Sequence, residues 1–154
     1  MLTLHTAPLL RTTDAREGEG GEGPLPDGAV AVLDGRIEAI GPLARLTVRY
    51  PAARVRRWPG TLGPGLVHRT CVPSAPSPRE RVYAMLRLGA TAVLAEQVTE
   101  PALRDAARYG GVRVLSAARP PRLAVGGPAD LAVFDDDGGC VATVLGGRVL
   151  HRRV

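Results

Sequence analysis

His68 and Cys71 stand three residues apart, just after the turn Gly63-Pro64-Gly65. Imidazole and thiolate are both zinc ligands, and a histidine beside a cysteine is also the pairing that activates a thiol nucleophile. Either chemistry needs the two side chains on one side of the backbone. The run Leu66 to Thr70 reads as a strand. On a strand, residues three apart face opposite ways, which argues against both. Asp135-Asp136-Asp137-Gly138-Gly139 has the acidity of a calcium loop but lacks its alternating ligands and closing glutamate, so it reads as a turn. Arg54, Arg56 and Arg57 beside Trp58, with Arg152 and Arg153, could form a basic strip for phosphates. Aromatic residues make up only 3% of the chain, so stacking platforms are scarce and nucleic acid is not the expected partner. His5 has no partner at ligand spacing, and Gly110-Gly111 ends a helix where a phosphate cradle would begin one.

The elements that must position these residues change character twice along the chain. Leu2 to Thr6 alternates with period two, as a half-buried strand does. Residues 13–28 are rich in Gly, Glu and Pro and read as a mobile loop with little to bury. Ala29 to Leu33 and Arg36 to Ile40 flank Asp34-Gly35, a hairpin signal of the type in which both turn residues take positive φ. A short helix over 43–50 stops before Pro51, and Arg54 to Trp58 is a further strand. Beyond the Gly-Pro-Gly turn the period lengthens. Helices are expected from Pro78 toward Gly89, and from a Thr99 cap to Gly110, between strands at 66–70, 91–95 and 112–115. That order, βαβαβ, implies a small parallel sheet. The tail returns to strands, at 129–134, 141–145 and 148–151, the last two about Gly146-Gly147.

Composition sets the outer bounds. A chain of 154 residues, 45% hydrophobic and 23% charged, suits a globular domain with a real core. No apolar run approaches the roughly 20 residues that span a bilayer, and the first residues lack the pattern of a signal peptide, so a cytoplasmic location is expected. Cys71 and Cys140 are too few for a disulfide framework. All 20 basic residues are arginine, the mark of a high-GC bacterial coding bias, so the pI of about 10.2 says little about partners.

Several stretches resemble the amidohydrolase superfamily, particularly its imidazolonepropionase-like members. They are Asp-Gly-Arg-Ile-Glu-Ala-Ile-Gly-Pro at 34–42, Leu-Gly-Pro-Gly-Leu-Val at 62–67, Gly-Gly-Pro-Ala-Asp-Leu-Ala-Val-Phe-Asp at 126–135 and Val-Leu-Gly-Gly-Arg-Val-Leu at 144–150. Leu-Gly-Ala-Thr-Ala-Val at 88–93 looks like the family's second barrel strand with its preceding turn. The resemblance implies an α+β fold in which both chain termini build a composite β-sandwich, residues 1–63 and 123–154. Residues 64–122 would be the remnant of a (β/α)₈ barrel.

It also implies a metal that acidifies a bound water, held first by a His-x-His pair on the opening barrel strand. Those positions hold Thr70 and Val72. Only 62 residues separate Gly65 from Pro128, where a barrel needs roughly 200 or more, so nothing supplies the later histidines and aspartate. The family's bridging lysine has no counterpart in a chain without lysine.

The expectation is a catalytically degenerate amidohydrolase-like protein that binds a partner protein or a small metabolite. No catalytic residue and no cofactor are assigned, zinc at His68 and Cys71 being the metal candidate. A sheet cut from a barrel has open edges and an apolar former interior face, and Leu66, Val93 and Val114 lie on strands that should be covered on both faces, so a homodimer through that sheet is expected. The alternative is a metal-dependent hydrolase of non-peptide C–N bonds, with a rebuilt site or with its missing barrel supplied by a partner.

Overall fold

Short runs of β-branched and aliphatic residues, punctuated by Gly and Pro, produce many short strands and only three helices among the described residues. The computed structural model describes residues 1–14 and 23–154. In chain order the N-terminal part holds β1 (Thr3–Thr6), β2 (Leu9–Leu10), β3 (Leu25–Pro26), β4 (Gly28–Leu33), β5 (Arg36–Pro42), α1 (Leu43–Arg49), β6 (Arg54–Arg57) and β7 (Thr61–Pro64). The middle holds β8 (Leu66–His68), α2 (Pro78–Leu86), β9 (Ala90–Leu94), a 3₁₀ turn at Ala95–Gln97, α3 (Pro101–Tyr109) and β10 (Arg113–Leu115). The tail adds β11 (Leu131–Phe134), β12 (Cys140–Leu145) and β13 (Arg148–Arg152).

These strands form three sheets. The first runs β5-β4-β1-β6, and the second β13-β12-β11-β7-β2-β3. The second sheet is composite, because β11 from the tail pairs antiparallel with both β12 and β7, Leu131 lying opposite Pro64. Leu10, Val30, Val32, Ile37, Leu62, Leu131, Val133 and Val144 meet in one buried cluster, drawn from both sheets. On the other face of β4 stand Ala29 and Ala31, small enough for Leu46 of α1 to pack there with Leu4. The Asp34-Gly35 hairpin forms as expected, with φ of 51° and 75°.

The third sheet is β10-β9-β8, parallel throughout, with α2 and α3 alternating between its strands. Val93, Met85, Leu103, Ala107 and Val112 make its core, joined by Leu145 from the composite sheet. The Thr143 hydroxyl donates to the Leu86 carbonyl across the same boundary. Val93 is fully buried, while Leu66 and Val114 are half-buried.

Four expectations need correction. The strand expected over 66–70 ends at His68, because the Arg69 carbonyl leaves the ladder and accepts from the Gln97 side chain at 3.3 Å. Thr99 does not cap α3, whose cap residue is Glu100, with Pro101 setting the first helical φ. The helix expected from Pro78 toward Gly89 ends at Leu86, and Leu88 falls in the turn after it and is exposed. Half of the loop expected over 13–28, residues 15–22, lies outside the described residues, and its described end contains β3.

Asp130 ties the composite sheet to the α/β layer. Its carboxylate accepts from Arg113 Nη2 at 2.9 Å and from the Gly146 N–H at 2.8 Å, while its carbonyl accepts from Gly65 N. Replacing it with alanine leaves a guanidinium and a turn N–H unpaired. Asp130→Ala is expected to lose about 2 kcal/mol in urea unfolding, and Asp130→Asn about half of that.

Candidate functional site

His68 closes β8, and its ring Nε2 donates to the Cys71 carbonyl at 3.0 Å. Because the strand stops at His68, the opposite-face argument no longer separates the two side chains. The imidazole is nonetheless bonded to the backbone of Cys71, whose side chain is exposed. Arg81 fixes the segment that follows. Its Nε donates to Pro73 O at 3.1 Å and its Nη2 to Val72 O at 3.4 Å. Val72 is thereby held in the apolar cluster with Val82 and Met85, 5% exposed.

A cleft of about 660 Å³ opens beside β8, lined among others by His68, Arg69, Thr70, Arg87, Phe134 and Cys140. Cys140 is the residue that sequence reasoning missed. It lies 72 positions from His68, and only the β11–β12 pairing brings it to this wall. No spacing rule could have found it. Its Sγ sits 3.5 Å from both the Ala142 carbonyl and the Thr143 hydroxyl. Burial pushes its thiol pKa up, so it is a protonated thiol and not a poised nucleophile. Beside it, burial pulls the His151 pKa down, against a hydrogen bond to the Cys140 backbone.

The acidic run is the turn it was expected to be. Asp135 Oδ1 accepts from Asp137 N at 3.0 Å and Gly139 N at 2.8 Å, and Oδ2 pairs with Arg153 at 2.7 Å. The Arg153 hydrogen bond, then that of Gly139, holds its carboxyl below the usual range. Both oxygens are already engaged, as a calcium ligand's would not be.

The basic strip closes on its own tryptophan. The guanidinium carbons of Arg56 and Arg152 each lie 5.7 Å from the Trp58 ring centroid, and Trp58 is only 5% exposed. Its indole N–H donates to His5 Nδ1 at 3.2 Å. That ring offers no stacking face to a base. Gly111 (φ +84°) lies in the turn that ends α3, so the Gly-Gly pair does not begin a helix.

Among the described residues, no three His, Cys, Asp or Glu side chains converge so as to hold a metal ion. Val72 points into an apolar core, and Thr70 offers one hydroxyl on the cleft wall.

The comparisons with known proteins fit this frame. Residues 28–53, which are β4, β5, α1 and the approach to β6, match the imidazolonepropionase-like composite domain of bacteria. Over those residues the chain is similar to the imidazolonepropionase-like composite domain. Its fold is similar to that of E. coli guanine deaminase, with a TM-score of 0.55 at 19% identity over 74% of this chain and 35% of that one. The guanine deaminase of Bradyrhizobium japonicum gives 0.53 at 15% identity, over 74% of this chain and 34% of that one. The chain thus spans about a third of the length of these guanine deaminases. No curated protein sequence matches it. The metal that an amidohydrolase relationship would imply does not fit the described residues, where Val72 is packed in the apolar cluster and no cluster of three His, Cys, Asp or Glu forms.

Proposed function

We propose that this chain is a catalytically degenerate amidohydrolase relative that works as a binding module. The observation that carries the reading is the fate of the two positions resembling the family's first metal ligands. Val72 is packed among aliphatic side chains, and among the described residues no cluster of three His, Cys, Asp or Glu forms that Thr70 could join in holding a cation. A metal-activated water needs several N or O donors around an open position. Under this reading, purified protein supplied with zinc releases no ammonia from guanine or related cyclic amidines above the buffer rate. A zinc-dependent rate abolished by His68→Ala would overturn it.

A second reading has one observation in its favour. The outer edges of β8 and β10 take no further strand among the described residues, although parallel sheets are usually covered. A partner chain adding the missing strands there would complete a hydrolase of non-peptide C–N bonds. A second copy docked at those edges would instead make the homodimer. Light scattering of the purified protein separates these arrangements: a dimer mass supports self-association, and a monomer mass removes it.

A further inference from the structure

Where α2 and α3 lie side by side, they enclose with β13 a groove of about 620 Å³. We propose that two copies of the chain pair through this groove about a two-fold axis, Tyr109 of one copy seated in the groove of the other. The surface is the helical one and not the strand edges, and the pairing holds with or without a metal.

Helical spacing builds the surface. Arg79, Val82, Tyr83 and Leu86 recur at i, i+3, i+4 and i+7 along α2, and Asp105, Ala106 and Tyr109 share one face of α3. Val82 and Leu86 are buried and form the floor, with Ala106 and Leu150 half-buried beside them. Tyr83 and Tyr109 stand at the rim, 46% and 97% exposed. The chain holds only three Tyr, one Trp and one Phe, so two of its five such rings are left bare at one groove. Tyrosine is among the side chains enriched at protein interfaces and at their energetic centres.

The form and charge of the patch point to a second copy as the occupant. A two-fold contact uses the same surface on both subunits, so that surface must carry both a projection and a recess. Tyr109 is the projection, and the apolar floor beside it is the recess. The rim carries Asp105 together with Arg79 and Arg148. Both signs on one patch let Asp105 of each copy meet an arginine of the other, whereas a ligand of one sign would also meet its own. A small molecule is a poorer fit, because a site walled by so exposed a ring cannot bury most of its ligand. Each helix of nine residues is about 13 Å long, so the shared face is small and the association is micromolar.

Sedimentation of the full chain across the micromolar range tests the proposal. The mass should rise toward twice the 16.1 kDa of one chain. Tyr109→Ser should weaken the pairing by about tenfold or more. Asp105→Arg alone, and Arg79→Asp/Arg148→Asp alone, should each stay monomeric through like-charge repulsion, while an equal mixture of the two should regain the dimer mass. All three positions are exposed, and an acid near the start of α2 or a base toward the end of α3 suits the helix dipole, so the variants keep the fold, as circular dichroism checks. A native chain that stays monomeric would overturn the proposal. So would a dimer indifferent to these substitutions, which would place the contact elsewhere and leave pairing at the strand edges standing. A mixture that remains monomeric would also overturn it, since the groove would then serve a different partner.

Discussion

Leu131→Ala should lose about 3–4 kcal/mol of unfolding free energy, the upper part of the range for a buried leucine. Leu131 is fully buried in β11, the tail strand that lies between β12 and the N-terminal β7. Val144 and Pro64 flank it on the two neighbouring strands, and the cluster it belongs to draws on both sheets of the sandwich. Strands hydrogen-bonded on both sides cannot shift inward to fill the lost volume, so the cavity stays open. In a chain of this size the loss corresponds to a fall of roughly 10 °C in Tm. Leu88→Ala, at a leucine 53% exposed, should stay within about 0.5 kcal/mol. Equal effects at the two positions in urea titrations would mean that the tail does not complete the core.

The second large effect is a pH dependence centred on His5. The side chain is 2% exposed, and burial followed by the charge of Arg56 lowers its pKa from 6.5 to about 4. Its Nδ1 accepts the Trp58 indole N–H, so protonation there would set two N–H groups against each other. The folded state therefore binds the proton less readily than the unfolded chain does. The His5 contribution is complete above pH 6.5 and is lost as pH falls toward 4, at up to about 1.4 kcal/mol per pH unit. The total reaches about 3 kcal/mol. His151, whose pKa burial also lowers, adds a smaller loss of the same sign. The Asp135 effect begins only below its ordinary carboxyl range. Stability measured between pH 7 and 4 should therefore fall steeply in the native chain, and much less in His5→Gln. An unchanged slope in that variant would remove His5 as the cause.

What the sequence made legible was local. Asp34-Gly35 and Gly146-Gly147 dictate their turns through backbone conformation alone, and both hairpins form. The βαβαβ order was visible in the change from period two to helical spacing, and the three strands do pair in parallel. Illegible features depend on distant partners. Two-residue strands such as Leu9–Leu10 and Leu25–Pro26 carry too few side chains to show a period. Thr61–Pro64 reads as a turn, and becomes a strand because Leu131–Phe134 and Leu9–Leu10 flank it. The same holds for the sites. His68 was visible by type, yet the Cys140 beside its cleft is brought there only by tertiary pairing.

The most direct test of the central claim is the zinc content of the chain after saturation with zinc and removal of the loose ion by gel filtration, read by plasma mass spectrometry. A frame that has lost its ligand cage should retain far less than one zinc per chain, unchanged in His68→Ala. One zinc per chain, lost in His68→Ala, would contradict it.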